Sequence, residues 1–179
     1  MVAELRDHLI GAVTGSSGKL SLSSVKKSKL ATHGQGGVGK TTMAALVVRD
    51  SAVRSAFECI GWVSVGQTPS IMELQRVLFL QLMRDPMPVK DNATPESQLL
   101  DLQAICAGKR WLLVLDDVWD PQHAKLLNCV DSSSPSKLLV TTRIRGLLQG
   151  CDEVSLNLLT PGELSCSLRG RKHSCRVTV

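Results

Sequence analysis

The segment HGQGGVGKTT, His33 to Thr42, constrains the fold of this chain more than any other feature. Four of its ten residues are glycine, and a lysine and two threonines end it. Glycines let successive backbone N–H groups turn inward, at dihedral angles that a side chain would block. The run KLATH before the loop predicts a strand, and the apolar periodicity after Thr41 predicts a helix. We therefore expect a strand, a tight loop and a helix in direct succession.

Four further segments carry the apolar runs of buried β-strands. They lie at CIGWVSVG, RWLLVLDDVW, SKLLVTTR and EVSLNLL. Together with KLATH they give five strands, and most of them are separated by segments with helical periodicity. Strands that alternate with helices and are apolar on both faces indicate a parallel sheet. The expected fold class is α/β, with a five-stranded parallel sheet covered by helices on both faces.

Three longer helices are predicted between these strands. They lie at MAALVVRDSAVRSAF, which continues from Thr41, at SIMELQRVLFLQLM and at TPESQLLDLQAICA. In the third helix, Thr94 has the position of an N-cap and Pro95 that of the first helical residue. The stretch TPGE, from Thr160, repeats this capping pattern after the fifth strand. The sequence therefore marks the helix starts as well as the strands.

Polar side chains stand where three of the strands end. The glycine loop follows the first strand, Asp116 and Asp117 end the third, and Thr141, Thr142 and Arg143 end the fourth. In parallel sheets, ligands bind at the carboxyl ends of the strands. We expect these three polar clusters to converge at one edge of the sheet.

The glycine loop matches the pattern G-x-x-x-x-G-K-[ST] from Gly34 to Thr41. In this pattern Lys40 would reach the β- and γ-phosphates of a nucleotide, and the Thr41 hydroxyl would hold Mg²⁺. The start of the following helix adds the positive end of its dipole. The predicted nucleotide-binding residues are Gly34, Gln35, Gly36, Gly37, Val38, Gly39, Lys40, Thr41 and Thr42.

The acidic pair and the run TTR would complete such a site. The end of a rigid strand would bring Asp116 to the magnesium, and Asp117 would orient or deprotonate an attacking water. Arg143 would face the γ-phosphate, and so distinguish ATP from ADP, if its strand lies between the other two. The run TTR also fits a simple cap on the sheet edge. The predicted catalytic residues are Asp117 and Arg143, and the predicted metal ligands are Thr41 and Asp116.

Taken together, these motifs resemble the NB-ARC nucleotide-binding domain of plant disease-resistance proteins and apoptotic adaptor ATPases. The resemblance covers roughly residues 30–164 and rests on GGVGKTT, FECIGWVSVGQ, RWLLVLDDVW, SKLLVTTR and VSLNLLTPGEL. It implies a P-loop NTPase fold and the same roles for the site residues. It also implies a signalling ATPase of slow turnover. In such a protein, bound ADP keeps the inactive state, and exchange of ADP for ATP with Mg²⁺ permits assembly.

The family pattern is incomplete at both ends of the sequence. Residues 1–30 show no convincing hydrophobic-Gly-Arg segment of the kind that contacts adenine in the family, and residues 165–179 match neither of its further subdomains. We expect a loose lead-in over residues 1–28, the nucleotide-binding domain over residues 29–164, and a divergent, disordered basic tail over residues 165–179. A truncated site would bury less of the nucleotide and bind it more weakly.

Charge and composition limit the partners. Of the net charge of +5, residues 1–30 contribute a surplus of three and residues 166–179 a surplus of four, so the body between them is slightly acidic. Only 3% of the residues are aromatic, which leaves few rings for stacking bases, so nucleic acid is an unlikely partner. The sequence has neither a signal peptide nor a membrane-length apolar run, so we expect a cytoplasmic protein without a membrane partner.

Two alternative functions stay open at this point. The string GGVGKTT also occurs in chromosome-partitioning and arsenite-pump ATPases, but those proteins carry a lysine where this chain has Gln35. The missing family segments would also suit a degenerate, non-enzymatic interaction module. Such a module would self-associate or associate with full-length relatives, and it would retain no nucleotide.

Overall fold

The computed structural model describes residues 2–10, 28–130 and 135–156. This part of the chain contains one sheet of five strands: β1 (Lys29–His33), β2 (Cys59–Gly66), β3 (Trp111–Val118), β4 (Lys137–Thr142) and β5 (Asp152–Ser155). It also contains six helices: α1 (Val2–Ile10), α2 (Lys40–Arg49), α3 (Ser51–Ala56), α4 (Ile71–Met83), α5 (Pro95–Cys106) and α6 (Pro121–Leu127). Every strand pairing is parallel, as predicted.

The strand order across the sheet is β2-β3-β4-β1-β5. Leu139 of β4 pairs with Leu30 of β1 on one side and with Val114 of β3 on the other. The strand that ends in TTR therefore lies between the strand that precedes the glycine loop and the strand that ends in acids. This order meets the condition on which the prediction for Arg143 depends.

Helices pack on both faces of the sheet, which confirms the predicted α/β class. In β3, Leu113 and Leu115 pack in the apolar layer that contains α4, α5 and α6. Leu112 and Val114 pack in the opposite layer, with α1, α2 and α3. All four leucine and valine side chains are buried. A strand that is covered on both faces needs an unbroken apolar run, which is the pattern that RWLLVLDDVW shows.

The prediction of one continuous helix after Thr41 is wrong. Two helices, α2 and α3, meet at Asp50, whose backbone is extended with φ of −61° and ψ of 131°. The carboxylate of Asp50 accepts hydrogen bonds from the N–H groups of Ala52 and Val53. An aspartate that binds backbone N–H groups in this way favours the start of a helix over its interior. The break separates two short helices that still pack against the same face of the sheet.

Residues 2–10 form helix α1, whereas the sequence suggested a loose lead-in there. Leu5 and Leu9 lie one turn apart, are 0% and 2% exposed, and pack with Val47 and Val53 of the neighbouring helices. This spacing is the ordinary pattern of a helix with one apolar stripe. The spacing of the two leucines is the sequence signal for this helix.

Several predictions concern residues outside the described ranges. These are the rest of the lead-in, the cap TPGE and the basic tail over residues 165–179. The fifth strand was expected over EVSLNLL; β5 ends at Ser155, and residues 157–159 are outside the description as well. Within the described ranges, no helix is long and apolar enough to cross a membrane.

Replacing Leu5 with alanine should lower the free energy of unfolding by about 2–5 kcal/mol, because it leaves a cavity between α1 and its neighbours. Chemical denaturation measures this change. Leu100→Ala is the matched control, since Leu100 is 66% exposed on α5, and its cost should stay within about 0.5 kcal/mol. Equal costs for the two variants would contradict the packing of α1.

Candidate nucleotide-binding site

An open cleft of about 580 Å³ lies at the carboxyl ends of the strands. Its wall brings together the glycine loop, the acidic pair and the end of β4. The wall includes Gly36, Gly37, Gly39, Lys40, Thr41, Thr42, Asp116, Asp117, Thr141 and Arg143. It also includes Ser64, Val65 and Gly66, which end β2 and which the sequence analysis did not select. The rule that ligands bind at the ends of parallel strands could have identified them.

Lys40 lies inside the glycine loop and is 7% exposed. Its Nζ donates hydrogen bonds to the carbonyl oxygens of Gly34, at 2.7 Å, and of Gln35, at 2.8 Å. Burial, and after it the charge of Arg143, lowers the pKa of Lys40, while Asp117 and Asp116 act in the opposite direction. Because both hydrogen-bond partners are neutral, the ammonium charge can still attract an anion into the cleft.

The four glycines of the loop are needed for two different reasons. Gly37 and Gly39 have φ angles of 82° and 88°, in the left-handed region that favours glycine. A Cβ at Gly34 would lie 2.5 Å from the carbonyl oxygen of Leu156, and one at Gly36 would lie 3.0 Å from Nη1 of Arg143. The expectation that dihedral angles require these glycines therefore holds for two of them. Close approach of neighbouring atoms accounts for the other two.

Three predicted loop residues lie outside the cleft wall. Gly34 and Gln35 supply the carbonyl oxygens that hold Lys40. Val38 is buried in a small apolar cluster with Met43 and Leu156. These residues support the shape of the loop, and their contact with nucleotide stays a prediction.

Asp116 is the centre of a buried hydrogen-bond group. The hydroxyl of Thr41 donates to its carboxylate, with distances of 2.9 and 3.0 Å to the two oxygens. The hydroxyl of Thr141 donates to Oδ1 at 2.6 Å. Carboxylate and hydroxyl oxygens are hard ligands, and Mg²⁺ binds one or two such groups together with phosphates and water. Thr41 and Asp116 are thus suited to hold the magnesium of a nucleotide.

Asp117 has an unusual backbone conformation, with φ of 54°. Few residues other than glycine adopt it, although aspartate does so more readily than most. The pairing of β3 with β4 shifts its register between Leu115 and Val118, so Asp117 lies in a bulge. Its N–H donates to the Thr141 hydroxyl oxygen at 2.9 Å. Thr141 therefore fixes both acids, because the same hydroxyl donates to the carboxylate of Asp116.

Thr142 connects the ends of the same two strands. Its hydroxyl donates to the carbonyl oxygen of Val118 at 2.7 Å and accepts a hydrogen bond from the N–H of Ile144 at 3.0 Å. The residue is 1% exposed, so water cannot readily replace these contacts. These two hydrogen bonds fix the turn after β4, and Arg143 lies in this turn.

Arg143 lies between the acidic strand end and the glycine loop. Its Nε is 3.4 Å from Oδ1 of Asp117, and its guanidinium carbon is 4.9 Å from the centre of the Trp119 ring. On the loop side it reaches Gly36. Trp119 belongs to the family motif RWLLVLDDVW, from which no individual role for it was predicted. An aromatic residue two positions after the acidic pair was the available signal.

Comparison with known proteins identifies the family of this chain. The family model of the NB-ARC domain matches residues 13–165. The chain is 35% identical over 117 residues to Disease resistance RPP13-like protein 4 of Arabidopsis thaliana, and 32% identical over 115 residues to Disease resistance protein RGA2 of Solanum bulbocastanum. These alignments cover 64% and 62% of this chain, but only 13% and 12% of the two relatives. The chain thus spans a small part of the length of its relatives.

Among solved structures, the crystal structure of Cdc6p from Pyrobaculum aerophilum is similar, with a TM-score of 0.51. The match covers 78% of this chain and 41% of that protein, at 15% sequence identity. At so low an identity the likeness concerns the fold alone. It confirms the predicted P-loop NTPase fold.

Thr141→Val keeps the shape of the side chain but removes its hydroxyl. We expect the free energy of unfolding to fall by about 1–3 kcal/mol, because the N–H of Asp117 loses its partner in a buried place. Chemical denaturation again provides the measurement.

The matched control for this variant is Thr32→Val. Thr32 pairs with Thr141 across β1 and β4 and is equally buried, but its hydroxyl donates only a long bond of 3.3 Å to the carbonyl of Val140. The free energy of unfolding should fall clearly less in Thr32→Val than in Thr141→Val. If both variants lose the same stability, the Thr141 hydroxyl does not hold the acids in the way described.

Proposed function

The chain belongs to the NB-ARC family, and from this premise we propose that it binds ADP or ATP with Mg²⁺ as the nucleotide-binding domain of a defence-related signalling switch. One observation carries the proposal: Lys40, Asp116 and Arg143 line the same cleft although they come from three different parts of the chain. They offer a cation for the phosphates, a carboxylate for a metal ion and a second cation for a terminal phosphate.

The glycine loop and α2 would hold the phosphates. Backbone N–H groups of the loop and the amino end of α2 attract anions, and Lys40 adds its charge. Bound Mg²⁺ would neutralise part of the phosphate charge, and Thr41 and Asp116 would hold it. Thr42, which is exposed at the start of α2, offers a further hydroxyl. Arg143 would bind the γ-phosphate of ATP, which ADP lacks.

We propose slow hydrolysis or none. Asp117 would orient the attacking water, but its carboxylate lies 3.4 Å from the Arg143 guanidinium. While this ion pair persists, one carboxylate oxygen of Asp117 is held toward Arg143, which limits how the carboxylate can orient water. The pairing supports a site in which the nucleotide marks a state and is turned over rarely.

The signalling role comes from the relatives, whose names identify them as disease resistance proteins. Under this proposal the chain acts in the cytoplasm, and it self-associates or associates with full-length relatives. Membership of the NB-ARC family removes the chromosome-partitioning and arsenite-pump alternative. A non-enzymatic module of the same family is the remaining competitor, and nucleotide binding separates the two.

Lys40→Ala should weaken the binding of ADP and ATP by at least about tenfold, because charge-assisted hydrogen bonds to phosphate are lost. Isothermal titration calorimetry in the presence of Mg²⁺ measures the affinities. Lys125→Ala, which removes an exposed lysine of α6, is the control and should leave both affinities unchanged. Unchanged affinity in the Lys40 variant would refute the site.

Denaturation of the freshly purified protein should release ADP in a near-equimolar amount, as expected of a switch that rests with ADP bound. Chromatography of the released nucleotide makes the measurement. A protein that releases no nucleotide, and whose melting temperature ignores added ADP, would favour the non-enzymatic module, because a ligand that binds only the folded state must stabilise it.

A further inference from the structure

We propose that Trp119 is a positioning residue, whose indole ring holds the Arg143 guanidinium at the edge of the glycine loop and so sets the preference of the site for ATP over ADP. The inference rests on the proposed function and deepens it. It concerns a residue of the DDVW motif to which the proposed function assigns no role.

Trp119 and Asp117 contact Arg143 together. The guanidinium carbon lies 4.9 Å from the indole centre, which is within the range of a cation–π interaction. The Asp117 carboxylate binds Nε at 3.4 Å. The Arg143 side chain is 46% exposed, and a long exposed side chain otherwise loses much rotamer freedom when it binds a ligand. The two contacts reduce that freedom before a nucleotide arrives.

The Arg143 guanidinium, which these two contacts restrain, lies beside the glycine loop. Nη1 would be 3.0 Å from a Cβ on Gly36, so the guanidinium lies directly against this point of the loop. The charge of Arg143 is also felt by Lys40, whose pKa it lowers in addition to burial. Both observations place a second positive charge beside the phosphate loop. A cation already in place gains affinity for the terminal phosphate because little ordering remains to be done on binding.

The indole ring, and not its N–H group, is the part of Trp119 that the site uses. Among the residues that the structure describes, Nε1 of Trp119 is buried and has no hydrogen-bond partner. An unpaired buried donor is unfavourable, and phenylalanine would avoid that cost. Tryptophan nevertheless offers the strongest cation–π surface of the aromatic side chains. Its presence here is explained by the contact with Arg143.

The test compares ATP and ADP affinities in Trp119 variants by calorimetry with Mg²⁺, using a non-hydrolysable ATP analogue for ATP. Trp119→Leu should lower the ratio of ATP affinity to ADP affinity by about two- to fivefold, the loss expected of a partly exposed cation–π contact. Trp119→Phe should restore part of the ratio, since a ring is present. ADP affinity should not change in either variant, because ADP lacks the γ-phosphate that Arg143 is proposed to bind.

The chain offers a matched control at the other end of β3. Lys109 lies 4.9 Å from the centre of the Trp111 ring, which is the same kind of contact at the same distance but away from the cleft. Trp111→Phe should leave the affinity ratio unchanged. Any general effect of weakening a tryptophan–cation contact in β3 would appear in this variant as well.

A double-mutant cycle tests whether Trp119 acts through Arg143. In an Arg143→Ala background, Trp119→Leu should produce no further change in the ratio. A further change of the ratio in that background would overturn the inference. An unchanged ratio in Trp119→Leu alone would also overturn it, because Trp119 would then have no effect. A raised ratio would do the same, because Trp119 would then hold Arg143 away from ATP.

Intrinsic fluorescence gives a second readout that does not require the leucine variant to fold. The wild-type emission should respond differently to the ATP analogue and to ADP, and Trp119→Phe should abolish that difference. A difference that survives in Trp119→Phe would contradict the inference. If the wild-type protein binds neither nucleotide, the proposed function fails and this inference fails with it. If the wild-type protein binds nucleotide and the Trp119 variants keep the same ratio of affinities, only this inference fails.

Discussion

The site depends on one buried hydroxyl, that of Thr141. Because β4 lies between β1 and β3, the last residues of β4 can contact the strand ends on both sides. The hydroxyl donates to the carboxylate of Asp116 and accepts from the N–H of Asp117. Thr141 is 0% exposed, so both hydrogen bonds are sheltered from competition by water. The hydroxyl of Thr141 therefore holds both the carboxylate of the proposed metal ligand and the backbone of the proposed catalytic residue.

The contact between the ends of β3 and β4 also supports a strained backbone conformation at Asp117. A left-handed conformation at a residue other than glycine costs of order 1–3 kcal/mol, and such residues are found mainly at functional sites. At Asp117 this cost is offset by the hydrogen bond to Thr141, while Thr142 holds the carbonyl of Val118 directly after it. The bulge brings Asp117 and Trp119 to Arg143. Strain in β3 is thus part of the arrangement that places the guanidinium.

The residues that line the candidate site were easier to predict from the sequence than the contacts that support them. Lys40 was predictable from the glycine-loop pattern, and Asp116 and Arg143 because each follows an apolar run whose end a parallel sheet brings to the same edge. The role of Arg143 was conditional, since strand order depends on long-range pairing and no local pattern encodes it. Thr141 was predicted to lie at this edge, but its role was not predicted, and Trp119 was missed, because their contacts depend on the register of β3 against β4. The break at Asp50 was missed because a charged residue fits the polar side of one long helix as well as a cap between two short ones.

The partners of the two cations explain how such a site could distinguish nucleotides. Lys40 binds only neutral carbonyl oxygens in the described structure, whereas Arg143 already has an anionic partner in Asp117. Under the proposed function, the phosphates of ADP satisfy Lys40 and leave the ion pair of Arg143 in place. The terminal phosphate of ATP instead binds the guanidinium N–H groups that Asp117 leaves free, so the ion pair that restrains Arg143 also presents it to the third phosphate. The ion pair would then link recognition of ATP to its slow hydrolysis, because the group that detects the third phosphate also holds one oxygen of the carboxylate proposed to orient water.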